Sequence, residues 1–185
     1  MCTTRTADGI SIPYEYTSYA TPISTTKLHA EIRAQDDPES RLQMPYVVRL
    51  HQFNALAETQ PCFTFRHPNW AENIDNTRYA CLSFTAGTNA LVHGFAGYFR
   101  AMLYKDIDIS IDPRTFSDGM FSWFPVFFPL LRPVVVRRGD TVTLHVWRQN
   151  SVAAVWYEWA LATDGGRHPT VIHNANGCAY SIHLH

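Results

Sequence analysis

Short runs of apolar and β-branched residues, separated by turn residues, recur from Tyr46 to the C-terminus. The runs IDISI (107–111) and TVTLHVW (141–147) alternate between apolar and polar residues, which is the two-residue period of a half-buried strand. Turn residues concentrate between the runs, as in DPRTFSDG, RRGD and NANG. Ten such runs predict a mainly β fold, built as an antiparallel β-barrel with sandwich-like character. The predicted strands are YVVRL, CFTF, YACLSF, LVHGFAGYFRAMLY, IDISI, VFFPLL, VVV, TVTLHVW, VWYEWAL and AYSIHL.

The first 45 residues have a different character. The segment SIPYEYTSYATPIS (11–24) is rich in Tyr, Thr and Pro, which predicts an extended chain. We expect Ser24 to cap a short helix that ends near Arg33 and carries Leu28 and Ile32 on one face. The following segment, RAQDDPESRLQMP (33–45), is predicted to be a polar connector.

Composition fits one domain of ordinary size. The chain has 185 residues, of which 46% are hydrophobic, 17% charged and 14% aromatic, and this mixture favours strands over helices. The formal net charge of -1 and the pI of about 6.7 give no overall footprint for nucleic acid or anionic lipid, so neither partner is expected.

Cysteine usage favours a reducing compartment. Cys2, Cys62, Cys81 and Cys178 are widely spaced and form no CxxC pair, and the sequence contains no Asn-x-Ser/Thr acceptor site. The N-terminus MCTTRTADG lacks the apolar region of a signal peptide. The most apolar stretch is DGMFSWFPVFFPLLRPVVV (118–136). Its prolines remove backbone hydrogen-bond donors that lipid cannot replace, so no membrane segment is expected.

Two motifs have plain structural interpretations. Arg138-Gly139-Asp140 spells an adhesion tripeptide, but it lies between two predicted strands where a hairpin turn needs glycine. Glu158 lies among Trp156, Tyr157 and Trp159, which could raise its pKa to that of a general acid, yet a single carboxylate is more often a salt-bridge partner.

Metal-binding residue types concentrate at the C-terminus. Zinc needs three or four converging ligands, and the spacing here matches no metal motif, so solvated polar faces are the expected arrangement and no metal site is predicted. The residues concerned are His168, His173, Cys178, His183 and His185.

The segment from Asp118 to Phe124 is a candidate site. It begins with turn residues, so Met120 to Trp123 are predicted to leave a loop rather than continue a strand. The flat face of Trp123 could hold a cation or a planar group, or could pack at the rim of the fold. The residues themselves leave both possibilities open.

Nine segments together resemble the C-terminal part of the protein arginine N-methyltransferase 5 family, whose members dimethylate arginine symmetrically. The resemblance runs in order from about Asp8 to Leu184. Cys178 and His183 depart from it, because the family typically has Arg and Gly there, and a separate C-terminal role stays open. The segments are DGISIPYEYTSYATPISTTKLHAEIRA, MPYVVRLH, PCFTFRHPN, IDNTRYACLSF, LVHGFAGYF, LYKDIDISI, GMFSWFPVFFP, VWYEWA and IHN.

The resemblance implies a domain organisation. Residues 1–12 would end a Rossmann-like methyltransferase domain, and residues 13–185 would form the C-terminal β-barrel domain, with a dimerisation segment at about 24–44. In the family, the catalytic glutamate hairpin, the glycine-rich loop for S-adenosylmethionine and an N-terminal TIM barrel that recruits a propeller partner all precede the matched part. We therefore expect no catalytic or cofactor-binding residue in this chain, and no catalysis by the chain alone.

The resemblance also implies a substrate site. Trp123 would stack on the substrate guanidinium, Ser122 would line the pocket beside it, and the backbone of Phe124 would contact the substrate chain. Expected partners are a second copy of the chain and arginine-containing proteins such as histones, in the cytoplasm and nucleus. Two alternatives remain: a free-standing dimerisation or regulatory module, and a β-barrel that binds a small cationic or sugar ligand.

Overall fold

The structure is a computed structural model that describes residues 9–163 and 168–184, and it is mainly β. Two short helices, α1 (Thr26–Arg33) and α2 (Pro38–Arg41), follow the first strand, and a 3₁₀ turn (Ala175–Gly177) precedes the last. The strands are β1 (Glu15–Ser24), β2 (Tyr46–Val47), β3 (Asn54–Ala55), β4 (Gln60–Arg66), β5 (Arg78–Thr85), β6 (Ala90–Tyr104), β7 (Ile107–Ser110), β8 (Val126–Val136), β9 (Thr141–Asn150), β10 (Ala154–Thr163), β11 (His168–Pro169) and β12 (Ile182–His183).

The strands form two antiparallel sheets. The larger sheet has seven strands in the order β2-β8-β6-β1-β3, with β4 also paired to β1 and β7 to β6. The smaller sheet has five strands in the order β11-β10-β9-β5, with β12 paired to β10. Each order has two ends, so the described residues form no single closed ring. The prediction of a mainly β antiparallel fold is confirmed, whereas barrel closure is not.

The two sheets share one hydrophobic core. Phe84, Val142 and Leu161 come from the smaller sheet and pack in one cluster with Phe95 and Leu130 of the larger sheet. Alternation along β9 places Val142, Leu144 and Val146 in this core and turns the residues between them outward. Burial of these side chains is the main term that stabilises the pairing of the sheets.

A second cluster covers the opposite face of the larger sheet. Ile32 of α1 and Leu42, which follows α2, pack there against Ile23, Ala96 and Phe127. The larger sheet is therefore buried on both faces, which explains why β6 and β8 read as almost continuous apolar runs. Leu42 is 2% exposed, so the prediction of a purely polar connector over residues 33–45 is wrong.

The start of α1 also differs in detail from the prediction. Ser24 is the last residue of β1, and Thr25 occupies the N-cap position without a side-chain cap hydrogen bond. His29 and Ile32 are the buried residues of the helix, while Leu28 is only partly covered. The predicted end at Arg33 is correct.

Strand β8 is continuous, although VFFPLL and VVV were predicted as two separate strands. Its pairing with β6 stops after Pro129 and resumes at Val134, and Pro133 within this gap has no N–H to donate to the sheet. Side chains replace the ladder there: the Leu130 carbonyl lies 2.8 Å from Nε2 of His29, and the Leu131 N–H donates to Nε2 of His173 over 2.9 Å. Packing thus holds a strand that local sequence would interrupt.

The predicted turn at Arg138-Gly139-Asp140 is confirmed. Gly139 has a φ of 93°, which favours glycine, and the Asp140 carboxylate accepts a hydrogen bond from the Arg137 N–H at 2.7 Å. The outermost predicted strands are shorter than expected, since β2 and β12 have two residues each. Across residues 9–163 and 168–184, none of the helices has the length and apolarity to cross a bilayer.

Candidate functional site

The segment between β7 and β8, residues 111–125, forms the candidate site. The hydroxyls of Ser110 and Thr115 are 2.9 Å apart, and the Ser110 N–H donates to Oγ of Ser117 over 3.0 Å. Gly119 adopts a φ of 79° inside the loop. The prediction that Met120 to Trp123 lie in a loop is confirmed, and the short hydrogen bonds at its base fix where the loop leaves the sheet.

A buried aspartate anchors the same loop. Asp112 is 3% exposed and accepts hydrogen bonds from the Thr59 hydroxyl and from the Arg114 N–H, the latter over 3.0 Å. The Arg114 side chain bridges Glu58 at 2.9 Å and Asp112 at 3.8 Å. The negative charge of Asp112 is thereby compensated, and the loop is tied to the segment before β4.

Trp123 lies on the loop surface and is 56% exposed. The ring of Phe99, from β6, meets its indole edge-on, with centroids 5.4 Å apart and planes 72° apart. Such an edge-to-face contact orients the indole without burying it. A large part of the Trp123 ring therefore remains available to a planar group.

The neighbours of Trp123 flank it on the same chain segment. Ser122 is exposed, and Phe124 is half-buried. The guanidinium carbon of Arg49 lies 4.9 Å from the centroid of the Phe124 ring, a cation–π distance. Adjacent backbone is held by the Val48 N–H, which donates to the Pro125 carbonyl over 3.0 Å.

A groove of about 660 Å³ opens beside Trp123. Its walls are mostly apolar, and Arg49 and His51 lie at its polar side. The side chains that form the apolar walls include Leu50, Phe53, Ile111, Met120, Phe121 and Trp123. This volume lies within the range of about 300 to 1,000 Å³ that is ordinary for ligand-binding clefts.

Tyr98 contributes the one buried polar atom at the groove that stays without a hydrogen bond. The residue is 4% exposed, and its hydroxyl has no partner within the part of the chain that the structure describes. Burial, followed by the charge of Asp112, raises the pKa of Tyr98 to about 12. The hydroxyl is therefore a neutral donor at neutral pH.

The three predicted site residues thus lie side by side at one surface, and the structure adds neighbours from elsewhere in the chain. Arg49, Phe99 and Asp112 were not predicted, because they come from segments that read as ordinary strand or turn. The aromatic run GYF contains Phe99, but the sequence gives no sign that its ring contacts Trp123.

A metal centre among the C-terminal residues can be judged only for those that the structure describes. Within residues 9–163 and 168–184, no three His, Cys, Asp or Glu side chains converge as metal ligands. His173 is 1% exposed, so its prediction as part of a solvated face is wrong, whereas His183 is exposed as predicted. His185 and the side chain of His168 lie outside the described residues.

His173 has a structural role instead. Its ring is parallel to the Trp159 indole, with centroids 5.3 Å apart and planes 11° apart. Its Nδ1 donates to the Trp159 carbonyl over 3.1 Å, while Nε2 accepts from Leu131. Burial lowers the pKa of this imidazole from its ordinary value of 6.5, so the neutral form is favoured.

Glu158 accepts hydrogen bonds, and within residues 9–163 and 168–184 it forms no salt bridge of the kind expected for it. Its Oε1 accepts from Nε1 of Trp156 and from the Asn176 N–H, both over 2.8 Å. The side chain lies on the outer face of the smaller sheet, because Trp159 and Leu161 of the same strand fill the core.

The described residues do not fit an S-adenosylmethionine site. Such a site uses a glycine-rich turn between a parallel strand and the N-terminus of a helix. The described strand pairs are antiparallel, and α1 starts at Thr25-Thr26 with no glycine before it.

Comparison with known families gives a consistent result. The family model of the PRMT5 oligomerisation domain matches residues 15–182. Protein arginine N-methyltransferase 5 of Xenopus laevis is 51% identical over 181 residues, and the match covers 96% of this chain and 28% of the relative. The Schizosaccharomyces pombe protein arginine N-methyltransferase skb1 is 38% identical, with 96% of this chain and 32% of the relative covered.

Solved structures share the fold at low sequence identity. The Trypanosoma brucei PRMT1 enzyme-prozyme heterotetrameric complex with AdoHcy matches with a TM-score of 0.70 and 13% identity, over 97% of this chain and 61% of that one. A crystal structure of PRMT6 matches with a TM-score of 0.53 and 16% identity, over 80% and 54%.

The chain spans about a third or less of the curated relatives named above, 28% and 32% of their lengths. Its match to the oligomerisation domain nevertheless extends over most of its own length, from residue 15 to residue 182. The chain therefore belongs to the protein arginine N-methyltransferase 5 family and corresponds to the oligomerisation domain of that family.

Proposed function

We propose that this chain is the C-terminal, substrate-side domain of a protein arginine methyltransferase, and that Trp123 is the residue on which the substrate guanidinium stacks. The observation that carries this proposal is the indole of Trp123, 56% exposed at the rim of an apolar groove and oriented by the ring of Phe99. Family membership supplies the reaction class.

The chemistry of the proposed contact is orientation. A guanidinium is planar and weakly hydrated, so it stacks well on an indole face. Stacking contributes about 0.5 to 2 kcal/mol, and it also limits the directions in which a guanidinium nitrogen can point. Ser122 lines the pocket beside the ring, and the backbone at Phe124 contacts the substrate chain.

Arg49 supports the suitability of this surface for guanidinium groups. Its own guanidinium already lies 4.9 Å from the ring of Phe124, the residue next to Trp123. An aromatic ring on this surface therefore already holds a guanidinium group of the chain itself. Because the Arg49 guanidinium already lies over Phe124, its positive charge would repel a second cation there. We therefore place the substrate arginine on Trp123 and not on Phe124.

The cofactor site and the catalytic residues would be supplied by other parts of the enzyme. S-adenosylmethionine would supply the methyl group, and the glutamates that bind and polarise the guanidinium would come from the part of the family's sequence that precedes residue 1. The chain alone would then be inactive. We further propose symmetric dimethylation, arginine-containing proteins such as histones as substrates, a propeller partner bound outside this chain, and localisation in cytoplasm and nucleus.

Self-association is the second proposed activity of the chain. Its family model describes an oligomerisation domain, and residues 24–44, which hold α1 and α2, are the proposed contact segment. Pro38 and Glu39 of α2 are exposed, while Ile32 and Leu42 fix the segment to the larger sheet. Light scattering coupled to size-exclusion chromatography tests this proposal: a mass of about 21.1 kDa at micromolar concentration would contradict it.

A chimera tests the proposed role of Trp123. This chain would replace the matching part of the Xenopus laevis relative, and methylation of a histone-tail peptide would be measured for the chimera and for its Trp123→Ala variant. We expect at least about a tenfold loss of kcat/KM, because guanidinium orientation is lost. Thermal stability should change little, because the indole is more than half exposed.

The matched control is Trp70→Ala. Trp70 is 60% exposed, close to the value for Trp123, and lies in the segment between β4 and β5. Its removal should leave methylation unchanged. If Trp123→Ala keeps full activity, or if it unfolds the chimera, Trp123 is not the stacking residue.

A further inference from the structure

Three aromatic rings lie together on the outer face of the smaller sheet, away from the core. Tyr79 is on β5, and His145 and Trp147 are on β9, where strand alternation turns all three side chains away from the core. The ring centroids are 5.2 Å apart for Tyr79 and Trp147, 6.2 Å for Tyr79 and His145, and 6.1 Å for His145 and Trp147. Tyr79 is 54% exposed.

The three rings are nearly parallel and stack with sideways offsets. Their planes differ by only 26°, 12° and 19°. If the three rings formed a single column, the centroids of the first and third rings would be about twice as far apart as those of neighbouring rings. The three measured centroid distances are instead nearly equal, so the rings form a triangle. The Tyr79 hydroxyl also lies 2.8 Å from Nδ1 of His145, an edge-to-edge hydrogen bond that holds two rings in register. We name this surface the aromatic platform.

A carboxylate borders the aromatic platform. Strand register places Glu158 of β10 directly opposite Trp147, and Trp147 directly opposite Tyr79, so the three form one row across the sheet. Oε1 of Glu158 accepts two hydrogen bonds, from Trp156 and Asn176. Oε2 accepts none from the residues that the structure describes, so a second carboxylate oxygen, on an ordered side chain, is available to a ligand.

Basic side chains are directed away from this surface. Arg78 and Arg148 neighbour Tyr79 and Trp147 in sequence, but their guanidinium carbons lie 4.8 Å and 5.4 Å from the ring of Phe65, toward the larger sheet. The outward positions of β5 and β9 carry Cys, Ser, Thr and Gln beside the platform residues, and no Lys or Arg. The charge next to the rings is therefore the negative charge of Glu158.

We propose that the aromatic platform is a second arginine-binding site, which stacks one guanidinium of an arginine-containing peptide on the face of Trp147 that Tyr79 leaves free, with its N–H groups directed to Glu158. Aromatic rings attract cations through their negative faces, and a planar, weakly hydrated guanidinium stacks on such a face better than a compact, strongly hydrated ammonium does. A carboxylate at the edge adds a charge-assisted hydrogen bond. The site lies on a different sheet from Trp123 and does not rest on the role proposed for Trp123.

NMR titration of the chain with acetyl-Gly-Arg-Gly-amide tests the proposal. The indole signal of Trp147 would be assigned with a Trp147→Phe variant and followed to saturation. We expect millimolar binding that weakens about tenfold in Glu158→Gln, because that change removes the charge and keeps the oxygen that accepts from Trp156. The lysine counterpart, acetyl-Gly-Lys-Gly-amide, should bind several-fold more weakly.

Two controls separate this site from the proposed methylation site and from misfolding. Trp123→Ala should leave the titration of Trp147 unchanged, so the two proposals can fail independently. The backbone spectrum of Glu158→Gln reports whether the variant folds, and for the unsubstituted chain the binding should weaken as sodium chloride is raised from 20 to 300 mM.

Three results would overturn the proposal. One is an arginine peptide that leaves the Trp147 signal unmoved, and another is equal binding of the lysine and arginine peptides. The third is saturable binding of a neutral sugar such as cellobiose at Trp147 that is stronger than arginine binding and indifferent to salt, which would assign the platform to carbohydrate instead.

Discussion

The ring of Phe99 meets the indole of Trp123 edge-on, with centroids 5.4 Å and planes 72° apart. Phe99 belongs to a long strand of the larger sheet, whereas Trp123 belongs to a surface loop. A rigid element thus positions a loop residue, which is how an exposed side chain keeps a defined orientation.

Replacing Phe99 should therefore affect Trp123 more than the fold. Phe99→Leu keeps an apolar side chain in place but removes the aromatic edge, and we expect a stability loss of about 1 kcal/mol. In the chimera with the Xenopus laevis relative, methylation should fall several-fold, because the indole is no longer held. Urea denaturation and steady-state kinetics measure the two effects, and unchanged kinetics would show that Phe99 does not position Trp123.

The two described C-terminal histidines, His173 and His183, should respond very differently to substitution. His173→Phe preserves the stack on Trp159 but leaves the buried Leu131 N–H without its partner, at a cost of about 1 to 3 kcal/mol, while the Trp159 carbonyl still accepts the backbone N–H of residue 173. His183→Phe, at an exposed position, should change the free energy of unfolding by less than about 0.5 kcal/mol. Chemical denaturation of both variants checks the contrast, and equal effects would contradict the assigned role of His173.

Acid should destabilise the fold before the carboxylates titrate. Burial lowers the pKa of His29, His93 and His173 from 6.5, so these imidazoles stay neutral in the folded chain while the unfolded chain takes up protons. The stabilisation is fully present above pH 6.5 and is lost as the pH falls below it, by at most about 1.4 kcal/mol per pH unit for each group.

The pair of His29 and His93 gives this prediction a specific location. Both are 4% exposed, their rings are 5.4 Å apart, and Nδ1 of His93 accepts the N–H of Thr25 at the start of α1 over 3.2 Å. Denaturation midpoints measured from pH 7.5 to 5.5 should fall, and His29→Gln should flatten the slope. A slope that the variant does not change would rule out His29 as a contributor.

Gly94 should tolerate no side chain. A Cβ at this position would overlap the Phe128 carbonyl and lie 2.6 Å from the Phe127 ring, so Gly94→Ala should destabilise the chain by about 3 kcal/mol or more. The control is Gly87→Ala, whose new Cβ would meet only the Leu56 carbonyl at 3.4 Å. Thermal unfolding of both variants tests the difference, and similar midpoints would show that β6 and β8 can separate at this point.

The chain alone should not bind S-adenosylmethionine. The described residues present antiparallel strands and no glycine-rich turn before a helix, so the cofactor has no matching surface here. Calorimetric titration of the chain should show no saturable heat, and the chimera with the Xenopus laevis relative serves as the positive control. Micromolar binding by the chain would contradict this expectation.

The class of the fold and the position of the loop that carries the candidate site could be predicted from the sequence alone. Alternation in IDISI and TVTLHVW and the turn residues between strands are local signals, so the central strands, the Gly139 turn and the loop that carries Ser122, Trp123 and Phe124 could be predicted. These features depend on neighbours within a few residues, which a single sequence displays.

The contacts of the individual side chains depend on the tertiary structure. The continuity of β8 through Pro133 depends on His29 and His173, which lie far from it in the chain, and the same packing turned a predicted solvated histidine into a buried one. The aromatic platform exists only because β5 and β9 pair in the register that brings Tyr79 opposite Trp147. The register between two distant strands depends on which faces of the sheet become buried. A short stretch of sequence does not show which distant segment will cover a face, so this register could not be predicted.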